Sequence, residues 1–343
     1  MATFRATFRE WARWISPAVT LALVGCGGGG TLPARPVPPS CQVAGAGTTR
    51  CGASGQSCCV SPSLPAGTYD RTYTNDGTAV TGRADPAQLS AFRLDTYLVT
   101  VGRFRQFVAA RAAGWNPLAG SGKHTHLNGG RGLVDSDGSG YEPGWGPIDD
   151  GFLPALTDWT KLLDCEAHFQ TWTDDPGPNE ALPMSCISWY DAYAFCIWDG
   201  GFLPSEAEWE YAAAGGDEQR AYPWGSTDPI AGGPDYAIAG CDYPPGSTSC
   251  TGVVNVAPVG TAVRGAGRWG QLDLAGSLSE WTLDWLAPYK PCTDCVFLTD
   301  YSYRVVRGGS FGTDTQNLPA NARIGDTPQS RPAFYGARCA RSP

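Results

Sequence analysis

ISWYDAYAFCIWDGGFLPSEAEWEYAAAGG, residues 187–216, is the stretch whose reading decides the fold. It spells out two short helices. Ser188 stands where an N-cap belongs, and Asp191 completes a capping-box pattern that satisfies N–H groups left open by the first turn. Trp189, Ala192, Tyr193, Cys196 and Ile197 follow at helical spacing as one apolar stripe, which Gly200 and Gly201 stop. Pro204 and Ser205 open the second helix, Glu208 pairs with Ser205 as a second capping box, and Gly215-Gly216 ends it. Trp209 and Ala212 are expected to face inward, with Glu206, Glu208 and Glu210 solvated or capping.

Working outward, LSAFRLDTYLVT, 89–100, reads as a strand. Thr100 then caps a helix with Val101, Phe104, Phe107 and Val108 on one face. The 343 residues are 42% hydrophobic with 13 Trp, enough for a sizeable core, while 45 Gly and 28 Pro promise a loop-rich fold. A net charge of −9 argues against a nucleic-acid surface, which relies on clustered Lys and Arg.

Residues 1–25 read as a lipoprotein signal peptide. Arg5, Arg9 and Arg13 precede an apolar run, Trp14 to Val24, which at about eleven residues is too short to span a bilayer. Leu23-Val24-Gly25-Cys26 resembles the bacterial lipobox, which makes Cys26 the lipidated mature N-terminus; the alternative is an ordinary signal peptide with a chance cysteine. Gly27 in place of Asp favours the outer membrane. Residues 26–65 read as a Gly/Pro tether and a cysteine-rich segment, and 66–343 as the main domain. Of the 13 cysteines, those other than Cys26 are even in number, which points to disulfides in an oxidising compartment. Neighbouring Cys58 and Cys59 should each pair elsewhere, Cys241 and Cys250 could close a turn-rich loop, and Cys292-Thr-Asp-Cys295 is half a zinc site without its other half.

Four blocks, in order, carry a resemblance. They are DTYLVTVGRFRQFV (95–108), the 187–216 stretch, GQLDLAGSLSEWTLDW (270–285), and RVVRGGSF (304–311) followed by DTPQSRPAFYGARCA (326–340). Together they resemble the formylglycine-generating enzyme, or sulfatase-modifying factor, family. The resemblance implies a mixed α/β domain with little regular secondary structure, related to the C-type-lectin-like fold. It also implies a disulfide between Cys196 and Cys339, a pocket around Trp281, Ser310 and Arg323, and a structural calcium at Gly276, Ser277 and Glu280, where Ser277 replaces the usual Asn.

In the active oxidases of the family a copper(I)-binding cysteine pair follows the Gly-Gly-Ser turn, at the second and seventh residues after the aromatic. Those positions here are Thr313 and Leu318, and neither a hydroxyl nor an isobutyl group replaces a soft thiolate. Copper is therefore not expected. His124, His126 and His168 form a weak alternative metal set, as do Asp135, Asp137, Ser139 and Glu142 in a calcium-loop-like cluster. The favoured expectation is a lipid-anchored, non-catalytic binding or structural protein of the cell envelope, with an unknown protein or small-molecule ligand. The alternative is a divergent metal-dependent oxidase acting on protein or small-molecule thiols.

Overall fold

In the computed structural model, residues 35–155, 158–229, 233–299 and 301–343 are described. The chain divides after Pro36, and Val37–Pro343 forms one compact unit. The leader and Cys26 lie outside the described residues.

The helices Trp189–Trp198 and Glu206–Ala214 begin at Ser188 and Ser205, and both capping boxes are formed. Asp191 accepts from the Ser188 N–H at 2.8 Å, and Glu208 accepts from that of Ser205 at 2.8 Å. Gly215 ends the second helix in the left-handed region, φ 66°, where a side chain would be strained. Phe195 stacks on Phe104 of the helix Val101–Ala112 at 5.7 Å, and with Phe107 and Trp159 these rings centre the largest apolar cluster.

The helix Glu206–Ala214 corrects the expectation for Glu206 and Glu210, which are neither solvated nor capping; Glu208 caps as expected, and all three are buried. Burial is tolerated because each carboxylate meets a cation. Glu206 pairs with Arg71 at 3.1 Å and Arg323 at 2.7 Å, Glu210 with Arg307 at 2.7 Å, and Glu208 with His124 at 2.9 Å.

A four-stranded sheet runs in the order Arg323–Asp326, Arg304–Arg307, Ser279–Trp285, Tyr335–Gly336, the last pair parallel. A hairpin of Gly67–Asn75 and Val80–Leu89 packs against the helix Glu206–Ala214 through Tyr69 and Tyr211. Residues 89–100 are not one strand: Leu89 ends the hairpin strand, and Phe92–Leu94 joins a different sheet, beside Ser63–Leu64 and Ala340–Arg341. The backbone of 95–99 is divided among several partners, with Asp95 N–H donating to Cys339, Thr96 to Val60 and Val99 to Ala337. The Asp95 carboxylate turns inward to Arg103 at 3.0 Å and Arg341 at 2.8 Å, and both arginines also hold Asp199 at 2.6 Å.

Six disulfides join the twelve cysteines among the described residues. Cys58 and Cys59 bond to Cys51 and Cys41, so the cysteine-rich segment is stapled to itself, and its Ser40 N–H donates to Asp199 at 3.0 Å. Cys241–Cys250 and Cys292–Cys295 are local, and Cys165–Cys186 closes a loop of 21 residues. Cys196 and Cys339, 143 residues apart, tie the first central helix to the C-terminal strand.

Candidate functional site

The strand Arg304–Arg307 runs into Gly308 and Gly309, both at positive φ, 93° and 68°. At Gly308 a Cβ would lie 2.7 Å from the Leu274 carbonyl, so the backbone approach itself demands glycine. A Cβ on Gly309 would lie 3.0 Å from Thr313 Oγ1 and 3.1 Å from Leu318 Cδ2. The turn therefore brings side chains 313 and 318 to the same small volume, with no thiol at either.

What stands there now is structural. The Thr313 hydroxyl accepts from the Ser310 N–H at 2.8 Å and donates to the Ser310 carbonyl at 3.0 Å, closing the turn. Leu318 is buried against Ala237 and Ala275. The loop is also pinned from outside: the N–H of Gly240 donates to the Thr313 carbonyl, that of Cys241 to Phe311, and that of Phe311 to Ser277. A cavity of about 310 Å³ opens beside it, lined by Thr313, Asp314, Leu318, Ala239, Gly240 and Asp242 among others. It shares Thr315 with a second cavity of about 470 Å³, lined by Tyr73, Asp76, Tyr222, Asp228 and Asn321 among others. Among the described residues lining the two there are four aspartates and no Lys or Arg. Burial pushes the Asp242 carboxyl above its usual range.

Ser310 belongs to the turn, and none of Trp281, Ser310 and Arg323 lines these cavities. Trp281 is a core residue whose Nε1 donates to the Ile187 carbonyl at 3.0 Å. Ser310 is buried with its hydroxyl oxygen unpartnered. Arg323 is bound to Glu206 and to the Ala287 carbonyl, and belongs with Arg71, Arg307, Glu210 and Tyr289 to a buried charge cluster behind the turn. Burial alone would raise Glu206, but Arg323, Arg307 and Arg71 hold it below the usual range; burial against weaker compensation lifts Glu210 to about 7. Arg307 immediately precedes Gly308, so this cluster anchors one end of the turn.

The donor set at Gly276, Ser277 and Glu280 fits an internal ion pair better than calcium. Both Glu280 oxygens accept from Arg338, at 2.6 and 2.8 Å, and the Ser277 carbonyl is taken by Phe311. Gly276 lies against Ile238, whose carbonyl would sit 2.4 Å from a Cβ there. Calcium wants six to eight oxygens free to turn toward it, and a guanidinium occupies the one carboxylate. Among the described residues no group of three or more His, Cys, Asp or Glu side chains is arranged to hold a metal ion.

His124 and Glu142, placed in separate candidate metal sets by the sequence, form one buried clamp with Glu208. Nδ1 meets Glu142 at 3.0 Å and Nε2 meets Glu208 at 2.9 Å, while His168 is exposed elsewhere. Burial works to lower the His124 pKa, but the two carboxylates overcome it and raise the pKa to about 10. Because this lies above the ordinary value, the clamp stabilises fully below about pH 6.5 and is lost as pH rises through 10. Melting temperature should fall over that window, and His124→Gln should lower it at neutral pH and flatten the dependence. A variant as stable and as pH-sensitive as the parent would remove the charged clamp.

Residues 56–343 match the model of the sulfatase-modifying factor enzyme 1-like domain. The chain is 29% identical over 309 residues to a formylglycine-generating enzyme of Thermomonospora curvata, covering 82% of this chain and 92% of that protein. It is 29% identical over 304 residues to the mouse protein named inactive Cα-formylglycine-generating enzyme 2, covering 81% and 84%. The solved structure of CarF superposes with a TM-score of 0.50 at 15% identity, over 83% of this chain and 98% of that one, a likeness of fold alone. With the match spanning most of the chain and the mixed α/β architecture in place, this chain belongs to the sulfatase-modifying factor family.

Proposed function

We propose that this domain binds a ligand at the groove beside residues 313–318 and does not oxidise thiols. The observation that carries the reading is the occupancy of the turn: Thr313 and Leu318 face Gly309, where a metal-binding thiol pair would have to sit. Tight copper(I) binding needs soft ligands, and the cysteines of the described residues are all in disulfides. Four aspartates without a lining Lys or Arg favour a cationic ligand. A short arginine-rich peptide is the probe. It should bind in fluorescence anisotropy, be recovered chemically unchanged, and lose affinity several-fold to Asp242→Asn with Asp314→Asn. Equal binding by that double variant would take the groove out of the account.

The reading includes a lipid anchor at Cys26, which holds the domain at the cell envelope, on the outer membrane facing periplasm or cell surface. The even count of the remaining cysteines supports an oxidising compartment. Cys26→Ser should move the protein from the membrane fraction to the soluble one. A Ser variant that still sediments with membranes after a high-salt wash would remove the anchor. The opposing reading, a divergent oxidase, is decided by the assay that closes the Discussion.

A further inference from the structure

A third cavity, about 480 Å³, lies apart from the groove and is lined by Ile148, Asp149, Phe152, Tyr190, Trp285 and Arg304 among others. Its floor is unusual. The Arg304 guanidinium is layered between two indoles, 3.9 Å from the Trp189 ring and 3.8 Å from that of Trp285. Nη1 donates to the Leu283 carbonyl at 2.6 Å, while Nε is buried with no hydrogen-bond partner. Among the described residues no carboxylate comes within ion-pair distance of Arg304, although every other deeply set arginine of the sheet has one: Arg307 holds Glu210 and Arg323 holds Glu206. Burial accordingly drags the Arg304 pKa down to about 10, the direction of a cation short of compensation.

The two nearby acids are committed elsewhere. Asp149 accepts from the Gly146 N–H at 2.7 Å, and Asp284 accepts from the N–H groups of Glu206 and Phe297. Burial raises both carboxyls above their ordinary range. With both faces covered by rings, the guanidinium is approachable only along its edge, where its planar fork matches a carboxylate. One side of the cavity is apolar: Phe152 stacks on Tyr190 at 4.5 Å, and Ile148 at the mouth is 78% exposed.

We propose that this cavity is a second binding site, for a small organic carboxylate whose flat apolar body lies against Tyr190, Phe152 and Trp285 while its charged end meets the edge of Arg304. The site is independent of the groove beside residues 313–318 and does not rest on the binding role proposed there.

The test uses the full exported chain with its disulfides intact and isothermal titration with 3-phenylpropionate, with 2-phenylethylamine as the control of opposite charge. The carboxylate should bind saturably and the amine should not. Arg304→Gln should weaken binding by about tenfold or more, the scale for losing a hydrogen bond to a charged group. Because Arg304 is packed between rings, that variant could fail to fold, so Ile148→Asp provides a second arm. Its residue is exposed, and a negative charge at the mouth should lower the affinity for the anion by several-fold and leave melting temperature unchanged. No saturable binding of 3-phenylpropionate, equal binding of the amine, or unchanged affinity in either folded variant overturns the proposal.

Discussion

Replacing Cys196 and Cys339 together by Ala is expected to destabilise the domain by about 5 kcal/mol, the chain-entropy figure for a loop well over a hundred residues long. The bridge spans 143 residues and fastens the helix Trp189–Trp198 to the strand at Ala340–Arg341, where Arg341 and Arg103 share Asp95 and Asp199. A domain of this size holds roughly 5–15 kcal/mol in total, so losing the bridge leaves it marginal. Both cysteines are completely buried, so Ala in their place adds a small cavity cost. Urea unfolding of the double variant beside the parent measures the effect. A midpoint within error of the parent's would mean that the bridge constrains nothing the ion-pair network does not already hold.

Installing cysteines at both 313 and 318 is expected to create copper(I) binding, and the parent is expected to show none. The two side chains already converge on Gly309, within 3.0 and 3.1 Å of the position its Cβ would take. The turn is held by Gly308 against Leu274 and by loop hydrogen bonds from Gly240 and Cys241, none of which depends on a metal. Thr313→Cys gives up the hydrogen bonds to Ser310, about 1 kcal/mol, and Leu318→Cys leaves space beside Ala237 and Ala275, about 2 kcal/mol. Competition with a chromophoric copper(I) chelator should then report on the order of one tightly held ion per protein in the double variant and none in either single one. If the double variant competes no better than the singles, residues 313 and 318 do not meet as the turn places them.

The parts of this fold set by local rules were open to reading from sequence. Ser188 and Ser205 with their partners three residues on, and Gly215 beyond the last turn, specify helix ends by short-range hydrogen bonds, and the structure has them there. Thr100 is a third such cap. The stretch 89–100 misled because its apolar alternation resembles a strand, while its backbone partners, Val60 and the pair Ala337 and Cys339, come from two distant segments. Two glutamates of the second helix, Glu206 and Glu210, misled for a related reason, and Glu208 caps as expected but is buried as well. A carboxylate on a short helix is solvated unless cations reach it, and Arg71, Arg307, Arg323 and His124 are supplied from far along the chain.

The candidate site was half legible. The glycine pair and the identities at 313 and 318 can be read directly, because a missing thiol is a fact of sequence. The cavity lining is not, since Asp242, Ala239 and Asp314 meet only after the loop at 240–241 pairs with the turn. Trp281, Ser310 and Arg323 were grouped by resemblance, and the structure gives each a different surrounding. Nothing in the spacing of His124, Glu142 and Glu208 hints that they form one clamp.

The central claim is that the turn persists without oxidase chemistry, and a single assay reaches it. The unmodified protein is incubated with copper(I), oxygen, a thiol reductant and a Cys-x-Pro-x-Arg peptide, and the peptide is weighed by mass spectrometry. The account predicts a peptide cysteine carrying no formylglycine at any time point. A time-dependent conversion of that cysteine to formylglycine, abolished by a copper chelator, would contradict it and make this chain an active oxidase.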